Sequence, residues 1–165
     1  MKRQHDFVIR PLAIFTLLLP SLITFAQEPT DDLYMDAFVV VADTSQDYQA
    51  LRTRMFSIAH QLGLQIDSMG RGYDAARNLI ALPIDDADEL YAGEYFPRRY
   101  PSETLSLEYL SVYTSGGYMP FEKTIALVAA IATDRETAER ILAQVSAIAR
   151  GAYIVESRIY MGCMH

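Results

Sequence analysis

The chain has 165 residues, a formal net charge of −7 at neutral pH, one cysteine, no tryptophan and 11 tyrosines. A chain this acidic is repelled by nucleic-acid phosphates and by anionic lipid surfaces, which argues against both as partners. The single Cys163 cannot form an internal disulfide, so an apolar core has to hold the fold. Cys163 itself reads as a cross-link to a partner, a free thiol or a small residue with no special role.

Lys2, Arg3 and Arg10 make the start of the chain positive, and Pro11 to Ala26 is almost entirely apolar or small. The run closes on Thr24-Phe25-Ala26, a small-x-small pattern that a signal peptidase accepts before Gln27. It is shorter than the roughly 20 residues a spanning helix needs, and Pro11 and Pro20 break it. The layout predicts a cleaved secretory signal over 1–26 and a periplasmic or secreted single domain over 27–165, with no integral membrane segment after cleavage. The leader carries three cations and one acid, Asp6, so its loss leaves the rest more acidic still. No cysteine follows the cleavage point, so lipid attachment there is excluded.

The β-branched run Phe38-Val39-Val40-Val41-Ala42 predicts a buried strand, followed by helix-capping side chains at Asp43-Thr44-Ser45. Apolar residues then fall at Tyr48, Leu51, Met55, Ile58, Ala59 and Leu62, one face of a helix that Gly63 can end. Leu64 to Ser68 reads as a returning strand. A second half repeats the plan: a strand over 124–132, a capping box at Thr133 and Glu136, and a helix face at Ala138, Ile141, Val145, Ile148 and Ala149. These five positions are 48, 51, 55, 58 and 59 shifted by 90. Gly151 is the expected stop, and Ala152 to Met161 the final strand.

Two strand–helix–strand halves, 37–68 and 124–161, predict an α+β fold: a ferredoxin-like βαβ-βαβ antiparallel sheet with both helices on one face. Between them, 69–123 is too long for a simple connection and reads as an inserted strand and loop. Within it Thr104 to Tyr113 alternates like a strand, and Ser115-Gly116-Gly117 reads as a turn.

Catalytic and metal chemistry is hard to place on these residues. His60 falls on the solvent side of the first helix, without a partner to orient it as a base, and the other histidine after the leader is His165. No serine or cysteine has a recognisable activating neighbourhood, and no phosphate-binding glycine loop occurs, so the expectation is no enzyme and no cofactor. The acidic run Asp85 to Glu89 lacks the spacing of a calcium loop, with Ala87 and Leu90 interrupting it, and reads as a solvated turn. The tail Met161-Gly162-Cys163-Met164-His165 has ligands suited to copper(I), a composition that a five-residue tail also reaches by accident, so no metal is assigned.

Tyr91, Tyr95, Tyr100, Tyr109, Tyr113 and Tyr118 crowd one short stretch with Phe96, Arg98 and Arg99. Rings stack on sugars and guanidinium forks grip carboxylates, so the stretch reads either as a binding surface or as core residues and pins for a loop. In the last strand Ile154, Glu156, Arg158 and Tyr160 share one side, and its charges predict that this side faces away from the helices. An insertion folded over that side would bring Tyr95, Arg98, Arg99 and Tyr100 beside Glu156, Arg158 and Tyr160 as a ligand-binding site. The competing reading pairs Arg98 and Arg99 with nearby acids such as Glu94 and Glu103.

Over Ala37 to Ser68 and Thr124 to Met161 the chain resembles a sporulation-related repeat (SPOR) domain in its element order, its two similar halves and its expected export. The resemblance implies a non-catalytic domain that binds peptidoglycan glycan strands across the open face of its sheet. That family commonly has Gly-Ser-Phe-like and Gly-Pro-Phe turns where this chain reads Val41-Ala42-Asp43-Thr44 and Ile131-Ala132-Thr133, so no glycan-contact residue carries over. The alternative is a module that holds another envelope protein through its loop or a sheet edge.

Overall fold

The computed structural model describes residues 33–115, 120 and 122–162. The expected signal, the Gly116-Gly117 turn, Tyr118 and Cys163 to His165 lie outside these residues. In chain order the elements are β1 (Tyr34–Ser45), α1 (Tyr48–Leu62), β2 (Gly72–Asp74), β3 (Leu79–Ala81), β4 (Ser106–Tyr109), α2 (Leu110–Ser115), β5 (Ile125–Ala132), α3 (Arg135–Ser146) and β6 (Tyr153–Tyr160). The main sheet has the order β4-β5-β1-β6 with every neighbouring pair antiparallel, and β2 and β3 form a separate hairpin. The protein is therefore α+β, with the ferredoxin-like strand order expected. Among the described residues no helix is long and apolar enough to cross a membrane.

The two matching helix faces do what their spacing dictates. Leu51, Met55 and Ile58 of α1 and Ala138, Ile141 and Val145 of α3 are buried in one core with Val40, Leu127, Ala129 and Ala130 of the sheet. His60 is exposed, on the far side of α1. Gly63 ends α1 in left-handed backbone, at φ 68°, a conformation that side chains with a Cβ disfavour.

The caps fall elsewhere than the sequence suggests. β1 runs on through Asp43 to Ser45, and Asp47 caps α1 by accepting from Ala50 N–H at 3.0 Å. Asp134, not Thr133, caps α3, accepting from Thr137 N–H at 2.8 Å. An N-cap keeps extended backbone, which Asp134 has, and one position decides which oxygen reaches the free N–H groups. α3 stops at Ser146, well before Gly151.

The largest correction concerns the first half's second strand. Leu64 to Ser68 runs in the expected direction, but makes only one parallel bridge, Ile66 to Leu105. Its place beside β5 is taken by β4, from the inserted segment. β4 also stops earlier than its alternation suggests, because Leu110 to Ser115 turn into α2.

α2 packs against β6 on the face opposite α1 and α3. Val39 and Val41, Ala126 and Val128, and Ile159 form a second buried core there with Tyr113. The face expected to be open is closed, and the sheet is buried on both sides.

Candidate functional site

Closing the second face brings a set of polar side chains indoors. Ser106 and Glu108 alternate with Leu107 and Tyr109 along β4, so the two polar residues share the face of Val128 while the two apolar ones join the α1–α3 core. Glu108 is fully buried, and Arg71 grips it with both ends of its fork, Nη1 to Oε2 at 2.8 Å and Nη2 to Oε1 at 2.6 Å. Tyr95 Oη donates to the same Oε2 at 2.7 Å and accepts from Tyr109 N–H at 3.2 Å. The Arg98 backbone N–H also points at Oε2, at 3.3 Å.

Burial alone would raise the Glu108 carboxyl, but Arg71 overrides it and holds the group below the ordinary carboxylate range. Burial pushes the Tyr95 and Tyr113 hydroxyls well above theirs, with the Glu108 charge adding to the effect, so both remain neutral donors. Tyr113 Oη donates to Arg98 O at 2.9 Å, tying α2 to the segment that precedes β4.

The residues expected to bind a ligand therefore divide. Tyr95, Arg98 and Arg99 are buried: they anchor the insertion. Arg98, 0 % exposed, donates through Nη1 to Thr104 O at 2.7 Å and Thr104 Oγ1 at 2.5 Å. Arg99 lies over the Phe96 ring at 4.8 Å and donates to Tyr160 O at 3.2 Å. So the insertion does reach Tyr160, through that residue's backbone. Neither arginine pairs with Glu94 or Glu103, which bond Arg77 and Arg140 instead. Tyr100 stays at the surface, its hydroxyl on Asp67, and that hydrogen bond lowers the Asp67 carboxyl.

Glu156, Arg158 and Tyr160 stand on the opposite side from the one expected. Ile154, which shares their face, packs into the α1–α3 core, and Glu156 pairs with Arg135, the first residue of α3. Arg158 lies over the Tyr34 ring at 4.9 Å, and Tyr160 meets the same ring edge-on. Keeping charge out of a core selects a face only when the sheet has one buried side. Here it has two, and these charges reach solvent because β6 is a marginal strand that runs on past the start of α3.

A second feature, which the sequence pattern left unmarked, is a cleft of about 240 Å³ between the β2–β3 hairpin and the loop after it. Tyr73, Arg77, Leu82, Pro83, Ile84 and Gly93 are among the residues that line it. Arg77 Nη1 donates to Gly93 O at 2.6 Å, and Leu82 N–H donates to Glu94 O at 3.0 Å, closing the loop at its base. Gly93 has φ 72°, left-handed backbone that residues with a Cβ disfavour, so the loop favours glycine at this point. The acidic run forms turns in which Asp86 and Asp88 carboxylates accept from the N–H groups of Asp88 and Leu90. Two large apolar side chains project beside it, Ile84 at 80 % exposure and Leu90 at 65 %. Among the described residues no cluster of three histidine, cysteine, aspartate or glutamate side chains is placed to hold a metal ion.

Comparison with protein-family models, curated proteins and solved structures finds no match.

Proposed function

We propose that this chain is an exported, non-catalytic module of the cell envelope that binds another protein, through the cleft beside the β2–β3 hairpin. The observation that carries the reading is the outward display of Ile84 and Leu90 on a loop held rigidly at its base. Two large aliphatic side chains this exposed on one loop offer a partner apolar surface to cover. Around them stand Asp85, Asp86, Asp88 and Glu89, so the complementary surface is an apolar anchor flanked by lysine or arginine. The export half of the reading is supported by the charged, apolar, small-residue order of 1–26.

The geometry favours a protein over a glycan strand. A sugar-stacking surface needs several free rings together, and of the tyrosines crowded into the insertion Tyr95, Tyr109 and Tyr113 lie inside the molecule while Tyr100 stays at the surface. The sheet face on which a SPOR domain would receive peptidoglycan is filled by α2 and its neighbours.

Fluorescence anisotropy with synthetic peptides, each one leucine or phenylalanine flanked by lysines, tests this, alongside co-sedimentation with purified peptidoglycan sacculi. The wild type should bind the basic peptides, and Ile84→Ser or Leu90→Ser should weaken binding roughly tenfold or more, the scale of one aliphatic side chain left in water. Equal binding by wild type and variants, or retention on sacculi that both variants preserve, would overturn the assignment.

A further inference from the structure

The sheet has two margins, and the chain treats them differently. Beyond β4 it adds Ile66, with Leu105 N–H donating to Gln65 O at 2.8 Å and Asp67 N–H to Leu105 O at 2.9 Å. Beyond β6, among the described residues, no strand follows. An edge strand of eight residues presents backbone groups that another strand can pair with. Met161 N–H donates to Leu33 O at 2.7 Å, so residue 161 turns its backbone groups toward β1. By antiparallel alternation Tyr153, Val155, Ser157 and Ile159 do the same, and Ile154, Glu156 and Arg158 turn theirs away from β1.

We propose that β6 is a self-association edge, on which two copies of this chain pair antiparallel about a two-fold axis at Ser157 and join their sheets into one. The register follows from the backbone and the charges. Opposite residues must both turn outward or both inward, so the axis passes through a residue of β6 and never between two. An axis at Glu156 sets that glutamate against its own copy, and an axis at Arg158 does the same with two arginines; like charges directly opposed are destabilising. Axes nearer either end shorten the ladder and separate Glu156 from Arg158. At Ser157 each Glu156 faces the other copy's Arg158, twice over, with Val155 opposite Ile159 and Ile154 opposite Tyr160.

Glu156 already takes Arg135, and a carboxylate has acceptor capacity for a second guanidinium. Arg99 occupies the Tyr160 carbonyl at the end of the strand, which centres the ladder on Glu156 and Arg158.

Sedimentation velocity over a concentration series tests the interface. The wild type should form a dimer, and Glu156→Arg or Arg158→Glu should each weaken it roughly tenfold or more, because two attractive pairs become repulsive. Mixing the two single variants should restore a dimer, since each now carries the other's complement, and so should the double swap within one chain. A wild type that stays monomeric at its highest soluble concentration overturns the proposal. So do single variants that dimerise like the wild type, or a mixture that stays monomeric. Where a single variant does not fold, the double swap decides: a dimer supports the register and a monomer refutes it.

Discussion

The two faces of the sheet are closed by different chemistry. Against α1 and α3 the buried contact is mostly apolar, built from two helices whose buried positions repeat at an offset of 90. On the other face a short helix and an inserted segment are held by a buried ion pair, two buried tyrosines and two further buried arginines. Apolar contact is non-directional and tolerates small shifts, whereas a carboxylate that accepts from Arg71, Tyr95 and the Arg98 backbone fits one arrangement only. The first face supplies cohesion. The second fixes where a long insertion sits, a role that buried ionic groups fill when they secure a single arrangement at a desolvation penalty.

Removing one side of the ion pair gives the largest expected effect. Arg71→Ala leaves Glu108 buried and uncompensated and should destabilise the protein by about 3–5 kcal/mol in urea unfolding. Replacing both partners, Arg71→Met with Glu108→Leu, should recover most of that loss, because two apolar chains need no water. A loss below about 1 kcal/mol for Arg71→Ala, the level of an exposed pair, would show that the second face is not held in this way.

Acid tests the same contrast without mutation. The Glu108 carboxyl titrates lower in the folded chain than in the unfolded one, so its contribution is complete above the ordinary glutamate value of about 4.3 and is lost as pH falls through the folded value. Asp67, also lowered, acts in the same direction. On acidification, amide protection relative to the intrinsic exchange rate should therefore fall first in β4 and the 95–100 segment, while amides of β1 and α3 keep theirs. Loss of protection at the same pH in both regions would mean that the ion pair does not separate them.

The difference also explains what was legible in the chain. Leu51, Met55, Ile141 and Val145 are found where their period puts them, because burial of one stripe is a property of spacing alone. Glu108 and Arg71 lie 37 residues apart and their pairing has no local signature. Tyr95, Arg98 and Arg99 were legible as a dense aromatic and basic stretch, but composition does not say whether a ring faces a ligand or a neighbour's carboxylate. The displacement of Leu64–Ser68 by β4 was equally hidden, since both segments run the same way and only long-range packing chooses which one lies beside β5. Ile84 and Leu90 flank an acidic run, a pattern that marks a turn as readily as an anchor.

The smallest effect compares the two helices on the apolar side, where the caps decide the boundaries. Asp47 accepts from Ala50 N–H, and Asp47→Ala should destabilise by about 1 kcal/mol, the usual scale for an N-cap oxygen. Asp134 makes the matching bond to Thr137 N–H, and the carboxyl is lowered by it, so Asp134→Ala should shift the thermal midpoint in the same direction. Thr133→Ala separates the observed cap from the capping box that Thr133 and Glu136 suggest. If Asp134 is the residue that satisfies the free N–H groups, Thr133→Ala leaves the midpoint where it was. A midpoint that falls for Thr133→Ala and not for Asp134→Ala would move the start of α3 back by one residue, and with it the end of β5.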